Sequence, residues 1–85
     1  MCLFNSSILN VEYLKDKLFL ERLGKHLKKI RKQNGYTQEK LAFKIGIEIS
    51  QISRIERGIL NTSVSLIHAI AKELNVHTKD MFDFD

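Results

Sequence analysis

From Leu20 to Ile30 the apolar positions fall at Leu20, Leu23, Leu27 and Ile30, spaced by three and four residues. That spacing predicts a helix with one apolar stripe, and Lys25, Lys28, Lys29 and Lys32 lie away from it. Asp16 is placed to cap this first helix. Asn34-Gly35 is placed to end it, because either residue takes the left-handed C-terminal turn at low cost. Gly24, inside the helix, marks a weak point where another helix can approach closely.

The next stretch, "LAFKIGIEISQISRIERG", carries two periods at once. Its isoleucines at 45, 47 and 49 alternate as in a β-strand, and those at 52, 55 and 59 continue at helical spacing. A strand here would put Gly46 and Glu48 on one face and leave no turn before the helix. A break at Gly46 is cheaper. The reading is therefore a second helix, "QEKLAFKI", capped by Thr37 and turning Leu41, Ala42 and Ile45 inward, then a turn from which Ile47 reaches the core. A third helix follows from near Glu48. At about 100° per residue, Ile52, Ile55 and Ile59 cluster on one side of it, and Ser50, Ser53, Arg54 and Arg57 lie opposite.

Ser63 or Asn61 can cap a fourth helix, "VSLIHAIAKELN", with Val64, Leu66, Ile67, Ile70, Ala71 and Leu74 on its inner face and Asn75 as its stop. Thr78 is placed to cap a last short turn, "KDMF", weighted by Met81, Phe82 and Phe84. The expected fold is all-α, with five helices in residues 17–85. Residues 1–16 are read as an N-terminal arm or an extension of the first helix, in which Leu9, Val11 and Leu14 are free to pack.

Composition agrees with this class. Eighty-five residues make one small domain, without proline and with few aromatics. A single cysteine, Cys2, forms no intramolecular disulfide, so a reducing cytoplasm is expected. "MCLFNSSILN" has neither a basic leader nor a sustained apolar run, so no signal peptide or membrane span is expected.

Charge is unevenly distributed. Residues 22–57 hold ten Lys/Arg against Glu39, Glu48 and Glu56, whereas both flanks are mildly acidic. A basic centre is what a polyanion-binding face leaves, although "KHLKKIRK" read alone equally describes a solvated helix.

Two helices joined around a glycine form a helix-turn-helix, whose second helix can enter the DNA major groove. Such a helix needs an apolar side that fixes it rigidly and an outer side short enough to approach base edges. Ser50 and Ser53 are short, and the Arg54 guanidinium can fork onto guanine.

"TQEKLAFKIGIEISQISRIERG" resembles the helix-turn-helix of the XRE family, which includes phage repressor and Cro DNA-binding domains and restriction–modification controller proteins. Counting from Gln38, Leu41 comes fourth, Ala42 fifth, Gly46 ninth, Ile52 fifteenth and Ile55 eighteenth. The resemblance runs over about residues 20–82 and implies a five-helix, lambda-repressor-like domain. It also implies a transcriptional regulator that binds double-stranded DNA as a homodimer on a palindromic operator. By that resemblance Ile49, Ser50, Gln51, Ser53 and Arg54 are candidates to contact bases. Gln38, Lys40, Lys44, Arg57 and Asn61 are candidates to contact phosphates, and Arg31 and Glu56 are a candidate structural ion pair.

There are departures from the pattern. Ile49 stands where relatives carry a polar or basic residue: either it meets a thymine methyl or it is merely an exposed apolar side chain. Glu48 is a mediocre cap whose charge repels phosphate. "ILNTS" lacks the basic residues that some relatives use to grip the backbone.

Other chemistry finds little footing. His26, His68 and His77 are far apart without metal-ligand spacing, and His26 and His68 are read as surface residues. No base is visible beside Cys2, and the four glycines form no phosphate loop. No enzyme activity, cofactor or metal is expected. The rival reading is a protein-interaction module, antitoxin-like or an assembly subunit, with DNA binding secondary or lost. RNA recognition would want RNP-type aromatic strands or a KH-type glycine loop, and neither is present.

Overall fold

The computed structural model describes residues 16–84; all of the N-terminal arm or helix extension but Asp16, and with it Cys2, lies outside them. The described residues form helices α1 (Lys17–Gln33), α2 (Gln38–Ile45), α3 (Ile49–Glu56) and α4 (Val64–Glu73), then a 3-10 turn over Thr78–Phe82, with no strand. The expected fifth helix is thus a 3-10 turn, and it opens at His77 rather than at Thr78. Asp80 Oδ2 accepts the His77 backbone N–H at 3.3 Å, and the Thr78 hydroxyl lies 2.7 Å from His68 Nδ1 instead of capping.

Three of the four α-helices begin on a side-chain cap. Asp16 accepts from Phe19 N, Thr37 from Lys40 N and Ser63 from Leu66 N, at 3.0, 3.0 and 3.1 Å. Each bond satisfies an amide that the first turn cannot pair internally. Gly46 ends α2 with φ 76°, a left-handed conformation that a β-carbon would strain. The Ile47 amide then bonds back to the Ala42 carbonyl at 3.0 Å, which turns the chain sharply into α3.

The core is built from the predicted stripes: Leu23, Leu27 and Ile30 of α1, Leu41 and Ala42 of α2, Ile52 and Ile55 of α3, Ile67, Ile70 and Ala71 of α4, with Leu74 and Met81. Ile45, Ile47 and Leu66 pack half-buried against it. Full burial of each leucine, isoleucine or methionine among them contributes roughly 1.5–3 kcal/mol.

Three positions depart from expectation. Ile59, expected beside Ile52 and Ile55, is 53% exposed. Helix α3 has ended by then, and Gly58 with φ 76° breaks the angular phase that the spacing assumed. Val64 is 73% exposed, because it is the first residue of α4 and overhangs the end of the core. His26, expected on the surface, is partly buried, its Nε2–H donating to the Asp80 carbonyl at 2.7 Å, with the Phe84 ring at 5.6 Å. No helix among the described residues is long and apolar enough to cross a membrane.

Tyr36, between α1 and α2, ties the helix-turn-helix to α4. Its hydroxyl donates to Glu73 Oε2 at 2.7 Å, and Lys40 Nζ lies 4.7 Å above its ring. The bond to Glu73 raises the Tyr36 pKa above the ordinary value, with desolvation and the carboxylate's charge adding in the same direction. A raised folded-state value means that this stabilisation is complete below the unfolded tyrosine pKa of about 10 and is lost as pH rises through the folded value. An ultraviolet titration of wild type minus Tyr36→Phe should therefore show a midpoint above about 10. A midpoint at or below that value would mean the bond does not form in solution.

Candidate nucleic-acid interface

Helix α3 is held by both preceding helices through one carboxylate. Arg31 of α1 donates to Glu56 from Nε at 2.6 Å and from Nη2 at 3.0 Å, a forked pair in which both side chains are nearly inaccessible. Gln38, the first residue of α2, donates from Nε2 to the same carboxylate at 2.9 Å. Arg31 Nη1 also binds the Tyr36 carbonyl at 2.7 Å. The end of α1, the start of α2 and the last turn of α3 therefore meet at Glu56. Among the described residues no buried side-chain nitrogen or oxygen lacks a partner.

Close packing reinforces this bracing. Gly24 of α1 lies directly against the last turn of α3, where a β-carbon would fall 2.5 Å from the Glu56 carbonyl oxygen. Only hydrogen fits there.

With its inner side immobilised, α3 presents the other side outward. Ser50, Arg54 and Arg57 are exposed, Ile49 is 47% exposed, and Gln51 and Ser53 are half-buried. Arg57 Nε leans back on the Ser53 carbonyl at 3.4 Å. Lys40 and Lys44 of α2 and Asn61, between α3 and α4, are exposed, while Gln38 is half-buried with its amide committed to Glu56. At the start of α2 the backbone amides of Gln38 and Glu39 have no intrahelical acceptor and lie at the positive end of the helix dipole. A rigid helix with short side chains and one guanidinium, flanked by lysines and free amides, can enter a groove and grip its walls.

Reasoning from sequence missed the Tyr36–Glu73 link and the anchoring of the 3-10 turn by His26. A tyrosine just before a helix cap is a weak signal, and neither partner is near in sequence. Phe43, 82% exposed on α2, has no explanation in the structure. Among the described residues no group of three or more His, Cys, Asp or Glu could hold a metal ion.

The comparisons with known proteins fit this geometry. The helix-turn-helix family model matches residues 27–81. The chain is 42% identical over 62 residues to control protein C.BamHI of Bacillus amyloliquefaciens, covering 72% of this chain and 76% of that protein. Its fold superposes on the restriction–modification controller protein C.AhdI from Aeromonas hydrophila with TM-score 0.72 and 33% identity, over 74% of this chain and 96% of that one. It also superposes on SinR, the master regulator for biofilm formation, in a crystal structure with DNA, with TM-score 0.67 and 32% identity, over 72% and 98% of the two chains. A braced α3 at the end of a tight glycine turn and a family match across more than half the chain lead to one assignment: the chain belongs to the helix-turn-helix family, as a DNA-binding transcriptional regulator of the XRE type.

Proposed function

We propose that the chain acts as a homodimer, each protomer laying α3 in the major groove of one half-site of a two-fold operator in double-stranded DNA. The observation that carries this reading is the contrast between the two sides of α3: Glu56 locks one side into the fold, and Ser50 and Arg54 stand free on the other. In this pose Ile49, Ser50, Gln51, Ser53 and Arg54 face base edges. Lys40, Lys44, Arg57 and Asn61 meet phosphates, joined by the first amides of α2. Gln38 contributes to that grip through its backbone and holds α3 through its side chain. The fold similarity to SinR, which the DNA-bound crystal structure concerns, supports DNA as the partner.

One recognition helix spans only a few base pairs, so useful specificity asks for two half-sites about one helical turn apart. Leu18, Phe19, Val64 and Phe82 are all exposed and line two adjoining grooves between the start of α1 and the 3-10 turn. This apolar surface supports self-association, which must use the same patch on both copies. Regulation would then follow protein concentration through dimerisation.

Electrophoretic shifts with genomic fragments, at two salt concentrations and with competitor, test the proposal. Selective retention of a palindromic fragment is the expected outcome. Equal and steeply salt-sensitive binding to every fragment would reduce the activity to phosphate attraction. Absence of binding, together with capture of a protein partner, would favour an interaction module instead. Arg54→Ala should weaken binding to the retained fragment by ~1–3 kcal/mol with little change on random DNA. Equal losses on both would show that Arg54 reads no base.

A further inference from the structure

We propose that Glu48 and Ile49, at the start of α3, read base edges as a pair: the Glu48 carboxylate accepts from the exocyclic amine of a cytosine, and Ile49 packs on the C5-methyl of a neighbouring thymine. This rests on α3 lying in the major groove and names what that groove must display.

Glu48 occupies the cap position of α3 by its backbone, with φ −74° and ψ 142°, but its side chain makes no capping bond. The side chains capping α1, α2 and α4 all do. The carboxylate is exposed, and among the described residues it takes part in no ion pair. It therefore stands at the tip of the helix that enters the groove, with its acceptor capacity unused.

Ile49 is as unusual. The other two isoleucines of α3, Ile52 and Ile55, are 0% and 2% exposed, whereas Ile49 is 47% exposed. Residues four apart lie about 40° apart on a helix. The outer side of α3 thus divides into two columns, Ile49 above Ser53 and Ser50 above Arg54. The second column ends in a donor. The first opens on the apolar Ile49, and Glu48 precedes it at the tip.

Chemistry selects what such a tip can face. A phosphate repels the carboxylate. Guanine shows two acceptors in the major groove, thymine shows its O4, and adenine sets an acceptor N7 beside its amine. Cytosine alone presents an amine with no neighbouring acceptor on its own edge. Thymine alone among the four bases presents a methyl group for a branched apolar side chain. Consecutive residues at the helix tip can address consecutive base pairs, so the two preferences belong to adjacent positions. The acidic tip also lowers affinity for the wrong sequences, because wherever the amine is absent the charge is opposed by acceptors.

Selection of bound duplexes from a randomised pool by the full chain, followed by binding to modified versions of the selected site, tests the pair. Wild type should require one cytosine in each half-site. Glu48→Ala should lose that preference, on the order of tenfold, while binding random DNA more tightly because a negative charge is gone. Deoxyuridine in place of the adjacent thymine removes only the methyl; it should weaken wild type by roughly fourfold per half-site and leave Ile49→Ala unaffected. The DNA modification leaves the protein untouched, so this arm does not depend on how a variant folds. A selected site that wild type binds equally well without the methyl, and without regard to the cytosine, would overturn the pair while leaving groove binding intact. Failure to select any site would remove both.

Discussion

Glu56→Ala is expected to destabilise the domain by about 3–5 kcal/mol, because it strands the Arg31 guanidinium in a site where that side chain is almost wholly desolvated. A domain of this size is stable by roughly 5–10 kcal/mol, so the change is a large fraction of the whole. The loss comes from the unpaired charge rather than from a strong attraction in the pair. Replacing both partners, as in Arg31→Met with Glu56→Leu, should therefore recover most of the stability. The double variant still lacks the carboxylate that Gln38 uses to hold α3. It should fold well yet bind DNA more weakly than wild type. Denaturant titrations of wild type and the two variants beside shift assays separate the two effects. A cost below about 1 kcal/mol for Glu56→Ala would mean the pair is hydrated in solution.

Gly24→Ala is the second large effect. On an isolated helix the change would stabilise by up to about 1 kcal/mol, since alanine is the better helix former. Here the new methyl meets the carbonyl oxygens of Ile55 and Glu56, which belong to backbone and cannot rotate away. Relief requires α1 and α3 to separate, opening the core around Leu27 and Ile52. Overpacking of this kind typically costs about 1–3 kcal/mol and occasionally more, so it outweighs propensity. A net loss near 2 kcal/mol corresponds to a midpoint lowered by roughly 8–16 °C. Lys28→Ala, on the solvated side of the same helix, should stay within about 0.5 kcal/mol of wild type. Thermal melts in which Gly24→Ala is the more stable protein would refute the close approach.

These two residues show how differently sites become visible. Gly24 announced an anomaly in an otherwise good helix, but which helix approaches it, and that carbonyls line the contact, depends on packing. Arg31 and Glu56 stand 25 residues apart, and resemblance to a known family proposed the pair. Nothing local distinguishes Glu56 from a solvated helix residue. The exposed side of α3 was more legible, since Ser50 and Arg54 follow directly from the angular position of Ile52 and Ile55.

Local chemistry settled where the helices lie. Caps at Asp16, Thr37 and Ser63 and left-handed stops at Gly46 and Asn75 act within a few residues, and three-and-four spacing selects the face that is buried. These effects need no distant partner, which is why they can be read along the chain. Periodicity ceased to inform at the helix ends: Ile59 lies past the end of α3 and Val64 opens α4, and both came out exposed. The burial of His26 by a turn 54 residues away, the Tyr36–Glu73 bond and the three-way junction at Glu56 were decided only when the helices packed. A polar side chain is buried or solvated according to which group comes to face it, and that is a property of the folded arrangement, not of its neighbours in sequence.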